Sequence, residues 1–154
     1  MEREERWRIL RQIANASPYY QHCGMELLEM GEGTSRFRLP VKDELKNLYG
    51  VLHGGVLMAL LDSTCSLAVG SLLEDGESMV TLDIRVNLIS NVREGILIGE
   101  GVAIHKGRTT AVARGEIREE TGKLIACGMT TNFIKPLDAQ ILGQAGVPPE
   151  SPPR

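Results

Sequence analysis

The sequence predicts an α+β fold, an antiparallel sheet wrapped around one long central helix, with an extra helix at the N-terminus. Three observations carry this expectation. Val56 to about Leu73 is an apolar run of helical length, apolar on all sides and so expected to be covered on nearly every side. Met79 to Ser90 sets Val80, Leu82, Ile84, Val86 and Leu88 against Thr81, Asp83, Arg85 and Asn87, the period-two alternation of a strand. The strand candidates that follow are joined by short turn sequences, which makes the sheet largely antiparallel.

Residues 2 to 15 place Trp7, Leu10, Ile13 and Ala14 on one face among charges, an amphipathic helix that Ser17-Pro18 should stop. Met25 to Met30 and Thr34 to Leu39, joined by Gly31-Glu32-Gly33, read as a hairpin with Ser35, Phe37 and Leu39 on one side. A polar loop then leads through Asn47-Leu48-Tyr49-Gly50 to His53-Gly54-Gly55 and the apolar helix. Beyond the turn Glu74-Asp75-Gly76-Glu77 and the alternating strand come Ile96 to His105, Thr109 to Arg118 and Leu124 to Lys135. Lys106-Gly107-Arg108 and Glu119-Glu120-Thr121-Gly122 separate these three strands as turns. The expected organisation is a helix over residues 1–18, one domain over 19–136 and a frayed tail over 137–154 that ends in a Pro-rich stretch.

Composition narrows the function classes. The 154 residues are 42% hydrophobic, and 17 Lys+Arg stand against 20 Asp+Glu. One soluble domain with a real core fits that balance, and mild acidity speaks against a binder of nucleic acid phosphates. Aromatic residues make up only 4%, too few for stacking platforms on single strands. The apolar run is interrupted by Asp62, Ser63, Thr64, Ser66, Gly70 and Ser71, so no membrane span is expected. Cys23, Cys65 and Cys127 lie far apart without a C-x-x-C pair, and His22 and His105 have no ligand spacing, so neither disulfides nor a metal is expected. A charged start, Met1 to Arg6, is unlike a secretory signal, and the expected location is cytoplasmic. With 17 glycines, close backbone approach should matter somewhere.

The chemistry is concentrated in His53-Gly54-Gly55-Val56-Leu57-Met58-Ala59-Leu60-Leu61-Asp62. Two glycines at a helix start let a ligand approach the first backbone N–H groups, where free donors and the positive dipole end favour an oxyanion and can polarise a carbonyl. Asp62 lies nine residues after His53 within an apolar run, where a charge needs a purpose or a partner. Helix geometry puts the two side chains on opposite faces, about 13.5 Å apart along the axis. They therefore share an active site only if a second helix runs antiparallel alongside, as in a two-fold dimer with two equivalent sites. A partner subunit would also cover the sheet's other face and edges.

The string N-x-x-G-x-x-H-G-G-x-x-x-x-L-x-D, formed by Asn47, Gly50, His53, Gly54, Gly55, Leu60 and Asp62, resembles the signature of hotdog-fold acyl-CoA thioesterases of the phenylacetate-degradation type. Gly107 to Gly128 resembles that family's closing hairpin, and the similarity spans roughly residues 20 to 135. The resemblance implies a hotdog fold and hydrolysis of acyl-CoA thioesters, with coenzyme A as part of the substrate and no other cofactor. It implies Asp62 as general base or nucleophile, and the Gly54 amide with Asn47 as the groups that polarise the carbonyl. His53 would fix the loop, with contact to the thioester as a further role. Thr81 would help Asp62 hold the attacking water, and Lys106, Gly107 and Arg108 would meet coenzyme A. Homodimeric or homotetrameric assembly with shared sites follows, without nucleic acid or membrane partners.

Each residue also has a structural reading. Asp62 can satisfy Ser, Thr or backbone donors inside a helix, His53 can cap, Asn47 can hold a turn, and Thr81 suits a strand. Cys65 reads as core, and Arg114, Glu116 and Arg118 as a solvated strand face. Two other functions compete. An enoyl-CoA hydratase or hydroxyacyl dehydratase would pair an acid with a histidine, whereas His53 precedes Gly54-Gly55. A non-catalytic acyl-CoA sensor would carry a DNA-binding domain, for which the first 18 residues are too short.

Overall fold

The computed structural model describes residues 2–137. The chain runs through α1 (Arg3–Asn15), α2 (Pro18–Cys23), β1 (Glu26–Gly31), β2 (Thr34–Pro40), a 3-10 turn (Asp43–Leu45), α3 (Gly54–Gly70), β3 (Glu77–Leu88), β4 (Ile96–Lys106), β5 (Thr110–Glu119) and β6 (Leu124–Pro136). The strands form one antiparallel sheet in the order β1-β2-β4-β5-β6-β3. α3 carries the chain from β2 to the far edge and touches all six strands. The expected order of elements is thus observed. Of the tail read at 137–154, only Leu137 lies within the described residues, and its N–H donates to the Gly76 carbonyl at 2.7 Å.

Close approach of α3 is where the glycines act. Ser35, Gly101, Gly115 and Gly128 pair in one row across β2, β4, β5 and β6, directly under Leu61, Thr64 and Cys65. A Cβ on Gly101 would lie 2.6 Å from the Thr64 carbonyl oxygen, and one on Gly128 would collide with the Arg85 carbonyl. Ser35, the one side chain in that row of four, donates its hydroxyl to Thr64 O at 2.5 Å. Leu57, Leu60, Leu61, Cys65 and Val69 then pack with Phe37, Leu39, Leu97, Ile117 and Ile125 into an aliphatic core.

Two expectations need correction. Ser17-Pro18 does not end the helical segment. Pro18 starts a second short helix at its first position, where the missing N–H costs nothing, and Gly24 closes it with φ +76°. The alternation in β3 is not strict either, because the register slips between Thr81 and Asp83, leaving Leu82 as the extra residue of a β-bulge. Thr81 consequently shares the helix-facing side with Ile84, Val86 and Leu88, as its pairing with buried Asn132 requires.

The sheet's two edges are treated differently. On β1, the Asn15 amide imitates a neighbouring strand: Oδ1 accepts from Leu27 N–H at 2.8 Å and Nδ2 donates to Leu27 O at 3.1 Å. Trp7 Nε1 ties α1 to Ser71 O at 3.0 Å, and Arg6 donates to the Leu73 carbonyl. Ile13, expected on the apolar face of α1, stays exposed. The outer edge of β3 has no neighbour among the described residues, and Val80, Leu82, Ile84 and Leu88 along it are exposed.

Candidate active site

The first of two polar clusters lies at the start of α3. His53 is its N-cap, with extended backbone, and its Nδ1 accepts the Gly55 N–H at 2.8 Å. In the neutral ring the proton therefore sits on Nε2. The Val56 N–H reaches His53 O at 2.9 Å, while nothing among the described residues accepts from the Gly54 N–H. Gly54 has to be small: a Cβ there would lie 2.8 Å from Leu88 Cδ1.

The preceding loop is held by Asn47, whose Oδ1 accepts from Tyr49 N–H at 2.9 Å and Val51 N–H at 3.4 Å. Its Nδ2 has no acceptor among the described residues. Arg93 clasps the loop through the Tyr49 and Gly50 carbonyls at 3.0 and 3.2 Å. Leu48 and Tyr49 stand out at its tip, 86% and 74% exposed.

The second cluster surrounds Asp62, which is half-buried. α3 is not covered on nearly every side as expected: Gly55 and Met58 are exposed and Asp62 and Ser66 half-exposed, one stripe at helical spacing. Thr81 donates its hydroxyl to Asp62 Oδ1 at 2.8 Å. Ser66, one turn on, lies 3.4 Å from the same oxygen and 3.2 Å from Thr81 Oγ1. Below them Asn132 is fully buried, with Oδ1 3.3 Å from both hydroxyls. Tyr20 of α2 faces Ser63, and burial raises its phenol above the ordinary range. Cys65 is core, as expected: burial pushes its thiol up to about 12, which leaves no thiolate for attack.

Asn47, His53 and Gly54 thus gather at one end, and Asp62 and Thr81 meet some 12 Å further along α3 by the eight-residue rise. The chain does not bring the two groups together within itself. Lys106 lies in the same sheet row as Asn132 and Thr81, with Ala111 between, but its ammonium pairs with Glu77 at 3.2 Å. Gly107 closes the turn to Thr110 O at 2.8 Å, and Arg108 is exposed there. Ser66, Asn132 and Tyr20 were not singled out in the sequence. Ser66 was detectable as the hydroxyl four residues after Asp62, whereas Asn132 gave no signal on an otherwise ordinary strand.

Residues 49–126 match the model of the thioesterase superfamily. The chain belongs to that superfamily. A thioesterase structure from Haemophilus influenzae is 33% identical and superposes with a TM-score of 0.77, covering 84% of this chain and 91% of that one. The 1,4-dihydroxy-2-naphthoyl-CoA hydrolase of Escherichia coli is 34% identical over 106 residues, 68% of this chain and 77% of that protein. A phenylacetic acid degradation-related protein from Ralstonia eutropha superposes at 0.72 with 25% identity, covering 81% of this chain and 98% of that one. The expected hotdog fold and thioesterase family are borne out, and the protein is a thioester hydrolase.

Proposed function

We propose that this protein hydrolyses acyl-CoA thioesters to free coenzyme A and a carboxylic acid, as a homodimer in which each active site is shared. The observation that carries this reading is the division of α3: an unpartnered Gly54 N–H at its start, and Asp62 on its uncovered stripe two turns away. Gly54 lies beside Leu88 at the end of β3, and Asp62 beside Thr81 near its beginning. A two-fold axis close to Ile84 and Arg85 that paired the open β3 edges would set two α3 helices antiparallel. Each Asp62 would then face the partner's helix start. The exposed Leu48, Tyr49, Met58 and Leu88 would be covered in the same step.

In such a site the Gly54 N–H, with Asn47 Nδ2, polarises the thioester carbonyl and stabilises the oxyanion as it develops. Asp62 removes a proton from water, oxygen bonds to the acyl carbon, the carbon–sulfur bond breaks, and the proton passes to the departing thiolate. Attack by Asp62 itself would instead give an acyl-enzyme anhydride that water cleaves, leaving solvent oxygen in the carboxylate. His53 fixes the loop through its cap and presents Nε2–H outward. Arg108, exposed at the β4–β5 turn, is assigned to the coenzyme A phosphates, and Lys106 and Gly107 shape that turn. Beyond coenzyme A as part of the substrate, no cofactor is invoked. Two dimers could associate further through the outer sheet face, where Val102, Met129 and Phe133 are exposed. The three unpaired cysteines suit a cytoplasmic setting.

Thiol release from a panel of acetyl-, hexanoyl-, palmitoyl-, benzoyl- and phenylacetyl-CoA tests the reading. Asp62→Asn should remain folded and lower kcat by at least about a hundredfold. Near wild-type turnover in that variant would overturn the role of Asp62, and hydration of crotonyl-CoA without thiol release would point to the hydratase chemistry instead.

A further inference from the structure

Asn132 is the most deeply buried polar group near Asp62, with no exposed surface. A carboxamide on the inner face of a strand is costly unless its hydrogen-bonding capacity is used. Here it is used in a fixed sense. Nδ2 donates to Thr130 Oγ1 at 3.0 Å, and the buried Thr130 hydroxyl is in turn engaged with the Cys65 thiol. That contact sets the orientation of the amide, so Oδ1 is the atom turned toward Ser66 and Thr81, 3.3 Å from each hydroxyl.

Counting protons decides what this carbonyl does. Ser66 and Thr81 carry one hydroxyl proton each, and two oxygens that only accept, Asp62 Oδ1 and Asn132 Oδ1, face them. Thr81 is closest to Asp62, at 2.8 Å, and gives its proton there. The Ser66 hydroxyl, 3.4 Å from Asp62 and 3.3 Å from Asn132, then has Asn132 as its acceptor. With its proton directed inward, Ser66 Oγ turns a lone pair outward, beside Asp62.

We infer that Asn132 is a positioning residue: by taking the Ser66 proton it makes Ser66 an acceptor for the second hydrogen of the water that Asp62 activates. The inference rests on the reading of Asp62 as general base. A water held by two acceptors, Asp62 for the proton that leaves and Ser66 for the one that stays, has its own lone pair aimed at the acyl carbon. Without the Asn132 carbonyl the Ser66 proton swings to Asp62, and the serine offers the water a donor where an acceptor is needed.

A double-mutant cycle on the full-length protein tests this, using whichever panel acyl-CoA turns over fastest. Asn132→Ala and Ser66→Ala should each lower kcat by about tenfold, the scale of one net hydrogen bond, with KM within about twofold. Because Asn132 acts through Ser66, the double variant should be no slower than the slower single variant within about threefold. Losses that multiply, or an Asn132→Ala effect confined to KM, would overturn the inference. If Asn132→Ala does not fold, Asn132→Thr, a strand-favouring residue whose oxygen stays nearer the backbone, takes its place in the same cycle with the same criteria. Asp62→Asn, run in parallel, separates the two failures. Full turnover there removes the general base, whereas loss of turnover there with multiplying losses in the cycle removes only the role of Asn132.

Discussion

Thr81 donates to Asp62 Oδ1 over 2.8 Å across a separation of 19 residues, and it does so only because β3 is bulged. Plain alternation would send the Thr81 side chain to the face opposite Ile84 and Val86. The slip between Thr81 and Asp83 reverses that and delivers the hydroxyl to the helix. A strand irregularity next to the polar cluster is therefore part of how the cluster is assembled.

The Gly54 N–H can be removed without disturbing the helix. Proline is well tolerated at the first helical position, and the extended His53 backbone is what a following proline requires. Gly54→Pro, with Leu88 Cδ1 shifting to make room, should keep the thermal midpoint within a few degrees and lower kcat about 10²- to 10³-fold, the usual cost of one oxyanion donor. Steady-state kinetics beside a melting curve will check it, and unchanged kcat would remove Gly54 from the site.

Shared sites predict complementation. Asp62→Asn and Gly54→Pro homodimers should each be nearly inactive. Unfolded together and refolded as an equal mixture, they should regain about a quarter of wild-type activity, since half the dimers are mixed and each holds one intact site of two. No recovery on mixing would mean that both groups act from one chain.

The glycine row predicts a stability effect without a chemical one. Gly101→Ala forces a methyl group to within 2.6 Å of the Thr64 carbonyl position, so α3 must lift. Overpacking of this kind costs about 1–3 kcal/mol, or roughly 3–10 °C in Tm for a chain of this size. Calorimetry would detect it. A Gly122→Ala control would not isolate packing, because Gly122 has φ +96°. Wild-type Tm in Gly101→Ala would show that the helix is not seated on that row.

Acid should loosen the Glu77 corner. The Glu74 N–H hydrogen bond and, after it, the Lys106 ammonium hold the Glu77 carboxyl below its ordinary value of 4.5. A carboxyl lowered on folding stabilises the native state above its unfolded pKa, and that stability is lost as pH falls through the folded value. Glu77→Gln should therefore lower Tm by about 1–3 °C at pH 7, with the difference from wild type closing below about pH 4. A difference that persisted at pH 3 would attribute the effect to packing.

The order of elements was legible because its signals are local: the apolar run of α3, the alternation of Ser35, Phe37 and Leu39, and Gly-containing turns. So was the separation of His53 from Asp62, which follows from helix rise alone. What escaped depends on contacts between distant segments. The bulge at Leu82 is defined only against β6, and alternation read along one strand cannot reveal it. Asn132 becomes notable only when β6 sets it beneath Ser66 and Thr81. Pro18 reads equally as an end and as a beginning, and packing of Tyr20 against Phe37, ring centroids 5.5 Å apart, belongs to the latter.

The Asn15 amide seated on Leu27 has a consequence for growth. A sheet with two unsatisfied edges can recruit copies of itself indefinitely, and the product is a fibre. With one flank already occupied by a side chain from its own N-terminal helix, this sheet has a single edge left to offer. Pairing through that edge consumes it in both molecules, so the process stops at two.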